Sequence, residues 1–346
     1  MKTLALGITT FAEVLENPKT HEKISYDERI RHVVEEIKLA DKVGLDYFGV
    51  GEHHRHEYAA SSPQMILAAA ASITKQITLG SAVTVLSSDD PVRIYQQFAT
   101  LNAISNGRAE LTAGRGSFIE SFPLFGYDLR HYDQLFEEKL SLLLNIRDNE
   151  VVTFNGKYRP SISKLGVYPR TDKLKISVAV GGTASSVIRT AIYGLPLFLA
   201  IIGGSPRMFK GLIDLYKKTY IAHGHDEKDM YISVHSHGFV AKTYDEAFET
   251  YYPSMEQAMN IIGKERGWSI YTKKSYEAAN SLDGALYVGD SMYVAKKIVN
   301  LYKMLGINRF AMHVPVGFLE HDKVMESIRL MGTEVKPLVE KMLNEQ

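Results

Sequence analysis

Short apolar runs alternate with longer segments of helical periodicity from one end of the chain to the other, and no other feature narrows the possible folds so sharply. Eight runs read as strands: residues 3–9, 46–51, 77–86, 108–114, 175–180, 196–202, 231–241 and 309–314. Between them lie amphipathic patterns. In residues 26–43, Ile30, Val33, Val34, Ile37, Leu39 and Ala40 share one stripe of a 3.6-residue period. Pro63 after Ser62 and Pro91 after Asp90 occupy the position at which proline opens a helix, and Asn106-Gly107 is a stop signal. Further helices are predicted over 132–147, 184–193, 206–222, 245–262, 291–305 and 321–343. A helix between two strands returns the chain to the same edge of the sheet, so the strands must pair in parallel. The parallel solutions are an open doubly wound sheet and a closed (β/α)8 TIM barrel. Eight units in 346 residues predict the α/β barrel with insertions at its carboxyl-end loops, since the fold itself takes ~250 residues.

No linker rich in Pro, Gly or Ser divides the chain, and a single domain over residues 1–346 is expected. Two stretches fit no β/α unit: residues 148–174, which carry an Asn155-Gly156 hairpin signal, and residues 263–288. Long loops inside a compact domain are commonly lids or binding loops. The second stretch holds the single tryptophan, Trp268, amid Lys264, Arg266, Lys273 and Lys274, and is expected to be a mobile lid. Ala68-Ala69-Ala70-Ala71-Ser72 is small on every face. It either packs tightly on its own barrel or, with the helix over 91–104, forms the interface of a homodimer, which is the expectation here.

Composition excludes several functions. Lys+Arg and Asp+Glu are both 40, and no run of like charge occurs, so neither a nucleic-acid track nor an acidic tail is expected. No stretch approaches ~18 uninterrupted apolar residues, and no cleavage pattern follows the first ten residues. A cytoplasmic protein without membrane contact is therefore expected. With no cysteine, disulfides, thiolate nucleophiles and zinc–thiolate sites are ruled out.

Active sites of such barrels lie at the carboxyl ends of the strands. There, residues 48–58, FGVGEHHRHEY, run from a buried strand into Glu52, His53, His54, Arg55, His56 and Glu57. Three readings stand: metal ligation, for which no HExxH spacing is present; a polar strand end facing water; and acid/base or hydrogen-bonding work at a cofactor, the preferred one because histidine titrates near neutrality. Strand alternation sets His53 on one side and Glu52 and His54 on the other. Gly181-Gly182-Thr183-Ala184-Ser185-Ser186 follows the fifth strand and opens a helix. It is either an anion site built from free N–H groups and hydroxyls or an ordinary capped turn. Gly114-Arg115-Gly116 lacks the third glycine of a dinucleotide fingerprint, and 118–123 does not read as a helix. Arg115 fits either a ligand phosphate or a rim salt bridge.

The segments FGVGEHH, LGSAVTVLSSDDPVRIYQQFATLNAISNGRAELTAGRGS, VGGTASSVIRTAIYGLP and VGDSMYVAKKIVNLYKMLGINRF together resemble the bacterial luciferase-like, flavin-dependent monooxygenases, over residues 3 to about 340. The resemblance implies a (β/α)8 barrel binding reduced FMN, or in some branches a 5-deazaflavin coenzyme, at the strand carboxyl ends. It implies an acid/base role for His53 beside the flavin and a non-prolyl cis peptide at Ala82-Val83 beneath the ring system. Gly182, Thr183 and Ser186, with Gly181 and Ser185 of the same turn, match the phosphate site, and Arg115 beside Gly114 matches a flavin contact; Glu52 completes the cofactor-side set. It further implies a separate NAD(P)H-dependent flavin reductase and a small organic substrate; from the residues themselves no metal is expected. Many members carry Glu or Ser where this chain has Gly182 and Thr183. A deazaflavin oxidoreductase and a non-catalytic flavin-binding protein are the alternatives on the same scaffold.

Overall fold

The computed structural model describes residues 4–172 and 174–345. Strands β1 (Ala5–Thr10), β2 (Tyr47–Val50), β3 (Thr78–Ser81) and β4 (Ala109–Gly114) pair in parallel with their successors. Strands β5 (Lys175–Val180), β6 (Leu197–Ala200), β7 (Ile232–Val240) and β8 (Arg309–His313) continue the order. The ring then closes, with Leu6 of β1 opposite Phe310 of β8 and Gly7 of β1 opposite Tyr47 of β2. Helices α1 (Tyr26–Lys42), α2 (Pro63–Ala71), α3 (Pro91–Ile104) and α4 (Tyr132–Asp148) cover the first half. They are followed by α5 (Ala184–Ile192), α6 (Lys210–Ala222), α7 (Tyr244–Arg266), α8 (Lys273–Asn280), α9 (Ser291–Leu305), α10 (His321–Leu330) and α11 (Lys336–Asn344). This is the (β/α)8 barrel expected from the alternation of elements.

Period-two alternation divides each strand between two cores. Leu6, Ile8, Phe48, Val50, Leu111, Ile176 and Val178 point outward into the layer shared with the helices. Inside the barrel, Tyr47, Phe198 and Ala311 make a separate apolar cluster. Gly80 makes room for that cluster, because a Cβ there would lie 2.5 Å from Cε2 of Tyr47. The same layer holds a buried ion pair at the amino end of the barrel. Arg309 donates from Nη2 to Oε1 of Glu110 at 2.5 Å, from Nη1 to Oε2 at 3.0 Å, and from Nε to Ser233 at 3.0 Å. Its guanidinium lies 4.0 Å from the Tyr47 ring centroid. Among the described residues no helix is long and apolar enough to cross a membrane.

Several expected boundaries change. Thr3, placed in the first strand, lies outside the described residues. The predicted strand over 77–86 breaks at a cis peptide between Ala82 and Val83; beyond it only Thr84–Val85 pairs, followed by a single 3-10 turn. A short helix, Ser121–Leu124, occurs where none was read. Residues 148–174 do hold an antiparallel hairpin, Val151–Phe154 against Ile162–Gly166, but its loop is longer than a two-residue turn. Residues 263–288 are not a structureless loop: α7 runs on to Arg266, and α8 and the strand Tyr287–Gly289 follow. Local polar bonds organise this stretch. Thr272 caps α8 at Ser275, and Asn280 brackets Val288 from both sides, donating to its carbonyl at 2.8 Å and accepting from its N–H at 3.0 Å. The last helix is interrupted by a π turn, Met331–Val335.

Candidate active site at the carboxyl end of the barrel

Where β2 ends, alternation carries Tyr47, Gly49, Gly51 and His53 along the inner face. Glu52 and His54 turn away from it. Oε1 of Glu52 meets Nε2 of His54 at 2.7 Å, and its Oε2 accepts from the Val85 N–H at 2.9 Å. Each oxygen of Glu52 thus has a protein partner, and the residue braces the strand end against the segment after β3. His53 sits among rings: Tyr58 stacks on it at 4.5 Å, Phe11 meets it edge-on at 4.4 Å and Phe118 at 5.2 Å. Burial, then the neighbouring His313, His54 and Arg55, push its pKa down to about 3, so the imidazole is neutral at physiological pH. A neutral imidazole has one nitrogen to donate and one to accept.

Three further histidines share this interior, and the sequence reading passed over them. His235 and His237 lie on β7, and His313 ends β8 opposite His237. Ring centroids are 5.2 Å apart for His235–His313 and 5.5 Å for His237–His313, and Phe11 lies 4.2 Å from His313. His313 is fully engaged, with Nδ1 3.1 Å from the Thr9 hydroxyl and Nε2 2.8 Å from Oε1 of Glu13. By contrast, Nε2 of His235 and Nδ1 of His237 are buried without a hydrogen-bond partner among the described residues. Burial, followed by the nearby His313, drives both pKa values down, to about 3 for His237. The signal was present in His235-Ser236-His237: two histidines at alternate strand positions must share a face. Buried polar atoms are almost always paired, so two such nitrogens in one barrel mouth are where a water or a ligand atom would be accommodated.

The rim is held by Arg55. It forms a two-point contact with Glu57 at 2.9 and 3.1 Å, reaches Glu120 at 2.9 Å and Glu265 at 2.5 Å, and stacks 4.6 Å over Phe118. Arg266 adds a bond to the Ser117 carbonyl at 3.1 Å. These bonds tie the carboxyl end of α7 to the loops after β2 and β4. His56 faces solvent.

The remaining sequence-derived residues are distributed around the same end. The Ala82–Val83 peptide is cis, as the resemblance implied. Gly114 is glycine for a packing reason, since a Cβ there would meet Cγ2 of Val83 at 2.4 Å. Arg115 takes the rim alternative: its Nη1 lies 2.6 Å from Asp133, and its guanidinium is 5.2 Å from the Tyr132 centroid. At the turn before α5, Gly182 has φ +124°, a conformation reserved for glycine, and Gly181 has open space around it. Thr183 is the N-cap but makes no capping bond; its hydroxyl donates to Ser186 at 2.9 Å instead. The first-turn N–H groups of α5 thus have no side-chain acceptor, the arrangement that suits an anion. Ser185 is exposed and Ser186 buried. An aromatic-walled mouth with orphaned nitrogens and a glycine turn at a helix start fit a flat heterocycle carrying a phosphate. Among the described residues no three His, Asp or Glu side chains are grouped to hold a metal ion.

Comparison with known proteins gives the same direction. The family model described as luciferase-like monooxygenase matches residues 5–309. The chain is 25% identical over 302 residues to the N-acetyl-S-alkylcysteine monooxygenase of Bacillus subtilis, covering 83% of this chain and 87% of that protein. The monooxygenase RslO1 from Streptomyces bottropensis superposes with a TM-score of 0.84 at 20% identity, covering 96% and 99% of the two chains. The oxygenating constituent of 3,6-diketocamphane monooxygenase from Pseudomonas putida, in complex with FMN, gives 0.77 at 18% identity over 97% and 98%. An F420-dependent secondary alcohol dehydrogenase gives 0.74 at 18% identity over 97% and 99%. At these identities the structural likenesses report the fold.

Proposed function

The chain belongs to the luciferase-like monooxygenase family, and from that premise we propose that it is an FMN-dependent monooxygenase acting on a small organic substrate, with reduced FMN supplied by a separate NAD(P)H-dependent reductase. The observation that carries this reading is the barrel mouth, where a neutral His53 stands among Phe11, Tyr58 and Phe118 above two unpartnered histidine nitrogens.

Reduced flavin, when bound, supplies the electrons that activate oxygen. The protein's own residues bind, orient and shield. The N–H groups at the start of α5, with Gly181, Gly182, Thr183, Ser185 and Ser186, receive the phosphate. The wall formed by Ala82 and Val83 supports the ring system, and Arg115, paired with Asp133, borders the same rim. His235 and His237 offer their free nitrogens to polar atoms of the cofactor or substrate. His53 holds or returns a proton at the edge of the ring system, with Tyr58 and Phe11 fixing its plane. Arg55 keeps water out by holding α7 against the rim.

The deazaflavin reading shares every one of these positions. Anaerobic titration with reduced FMN and, separately, with a reduced 5-deazaflavin coenzyme separates the two. Tight binding of FMN and oxygen-dependent product formation are expected; hydride transfer from the deazaflavin without oxygen consumption would replace the proposal. Ser186→Asp, which sets an anion against the phosphate, is expected to weaken FMN binding. A second copy of the chain across α2 and α3 is proposed as well, since Met65, Ile73 and Ile104 are exposed on this side; a concentration-independent monomer in light scattering would end that idea.

A further inference from the structure

A cleft of about 610 Å³ lies away from His53, His235 and His237. It opens between α1, α10 and the segments after β1 and β8, and Glu13 is part of its wall. Glu13 is itself only 6% exposed, and its Oε1 reaches through to Nε2 of His313, which is 1% exposed inside the barrel. One carboxylate therefore borders an open cleft on one side and a mouth histidine on the other.

We propose that Glu13 and His313 form a proton inlet from this cleft to the barrel mouth. The inference rests on the monooxygenase reading and concerns residues that act through others. In that reaction anionic reduced flavin, oxygen, substrate and one proton yield oxidised flavin, oxygenated substrate and water. Two electrons come from the flavin and two from the substrate; one oxygen atom stays on the substrate, and the other leaves with the flavin's hydrogen and the added proton. A proton must therefore enter in each turnover while flavin and substrate fill the mouth.

The pair is oriented for that task. The Thr10 hydroxyl donates to Oε2 of Glu13 at 3.2 Å while accepting from Nη2 of Arg29 at 3.1 Å. Arg29 is paired in turn with Glu36 at 2.6 Å. Thr10 thus presents a donor to Oε2 of Glu13 and leaves Oε1 for Nε2 of His313. On the mouth side His313 faces Thr9 of β1 and His235 and His237 of β7, while the Tyr251 hydroxyl of α7 donates to its backbone carbonyl at 3.5 Å. Titratable side chains within the cleft include Glu28, His32, Glu320, His321 and Asp322.

The first test needs neither cofactor nor variant. In the ligand-free protein, the His313 ring N–H bonded to Glu13 is expected to exchange with solvent far faster than core amides, and more slowly in Glu13→Gln. Exchange in the wild type only at the rate of global unfolding overturns the inlet. The second test uses the flavin-loaded enzyme. Glu13→Gln is expected to slow single-turnover product formation about 10²-fold, with a changed solvent isotope effect and an FMN dissociation constant within twofold. Formate, small enough to enter the cleft, is expected to restore rate to Glu13→Ala, whereas Glu320→Gln on the same cleft behaves as wild type. Unchanged rate and isotope effect in Glu13→Gln, or absence of formate rescue, would refute it. Should reduced FMN fail to bind at all, the proposed function falls while the ring-exchange result still decides the inlet.

Discussion

The two ends of the barrel interior bury polar groups in opposite ways. At the amino end, Arg309 and Glu110 satisfy each other in two bonds, Ser233 takes the remaining Nε donor, and the Tyr47 ring lies against the guanidinium. At the carboxyl end, His235 and His237 are as deeply buried, yet each keeps a nitrogen without a partner among the described residues. The physical setting is similar: the same strands, a few residues apart, shielded from water. Saturated groups hold the strands in register, whereas the unsatisfied ones are the positions at which the proposed function seats polar atoms of a ligand. An unpaired buried polar atom is a standing cost to the fold, so its retention points to use outside the fold.

The sharpest way to break this contrast is at the mouth. His53→Ala is expected to lower turnover with saturating reduced flavin by roughly 10²–10⁴-fold while flavin affinity falls far less; His56→Ala, on the exposed loop, changes little. Normal turnover in His53→Ala would make the ring box structural. At the other end, Arg309→Leu strands Glu110 in the interior and is expected to cost about 3–5 kcal/mol in urea denaturation. A small loss there would mean that water reaches the pair.

Acid separates the ends next. His235 and His237 stay neutral in the fold because burial depresses their pKa values, to about 3 for His237, whereas an unfolded chain protonates near 6.5. The unfolded state then binds more protons, so stability falls as pH drops below about 6.5, by up to about 1.4 kcal/mol per pH unit for each ring, and is flat above it. Unfolding free energy measured from pH 8 to 4 checks the sign; replacing both histidines by leucine should flatten the slope. The smallest effect is expected from His237→Leu alone. Removing an unsatisfied group should leave stability unchanged or raise it by up to about 1 kcal/mol, while cofactor or substrate affinity declines. A large destabilisation would show that the ring is needed by the fold.

The barrel was legible because its elements are local. All eight strands and their helices announce themselves in hydrophobic period, and Pro63, Pro91 and Asn106-Gly107 mark their ends; the ring closure that pairs β1 with β8 follows from the count. Strand alternation alone also set His53 on one side and Glu52 and His54 on the other, because side chains on a strand have only two directions; which side faces inward came from the barrel. What sequence could not supply is convergence. His313 and Glu13 are 300 positions apart and meet at 2.8 Å only because the barrel closes between the first strand and the last. The Arg55 network likewise joins segments that are distant in the chain, and it fixes Glu265 at the end of α7, where residues 263–288 read as a loop. Local pattern determines which elements form and which face of each is buried; closure of the sheet decides which buried polar atoms find partners and which are left open for a ligand.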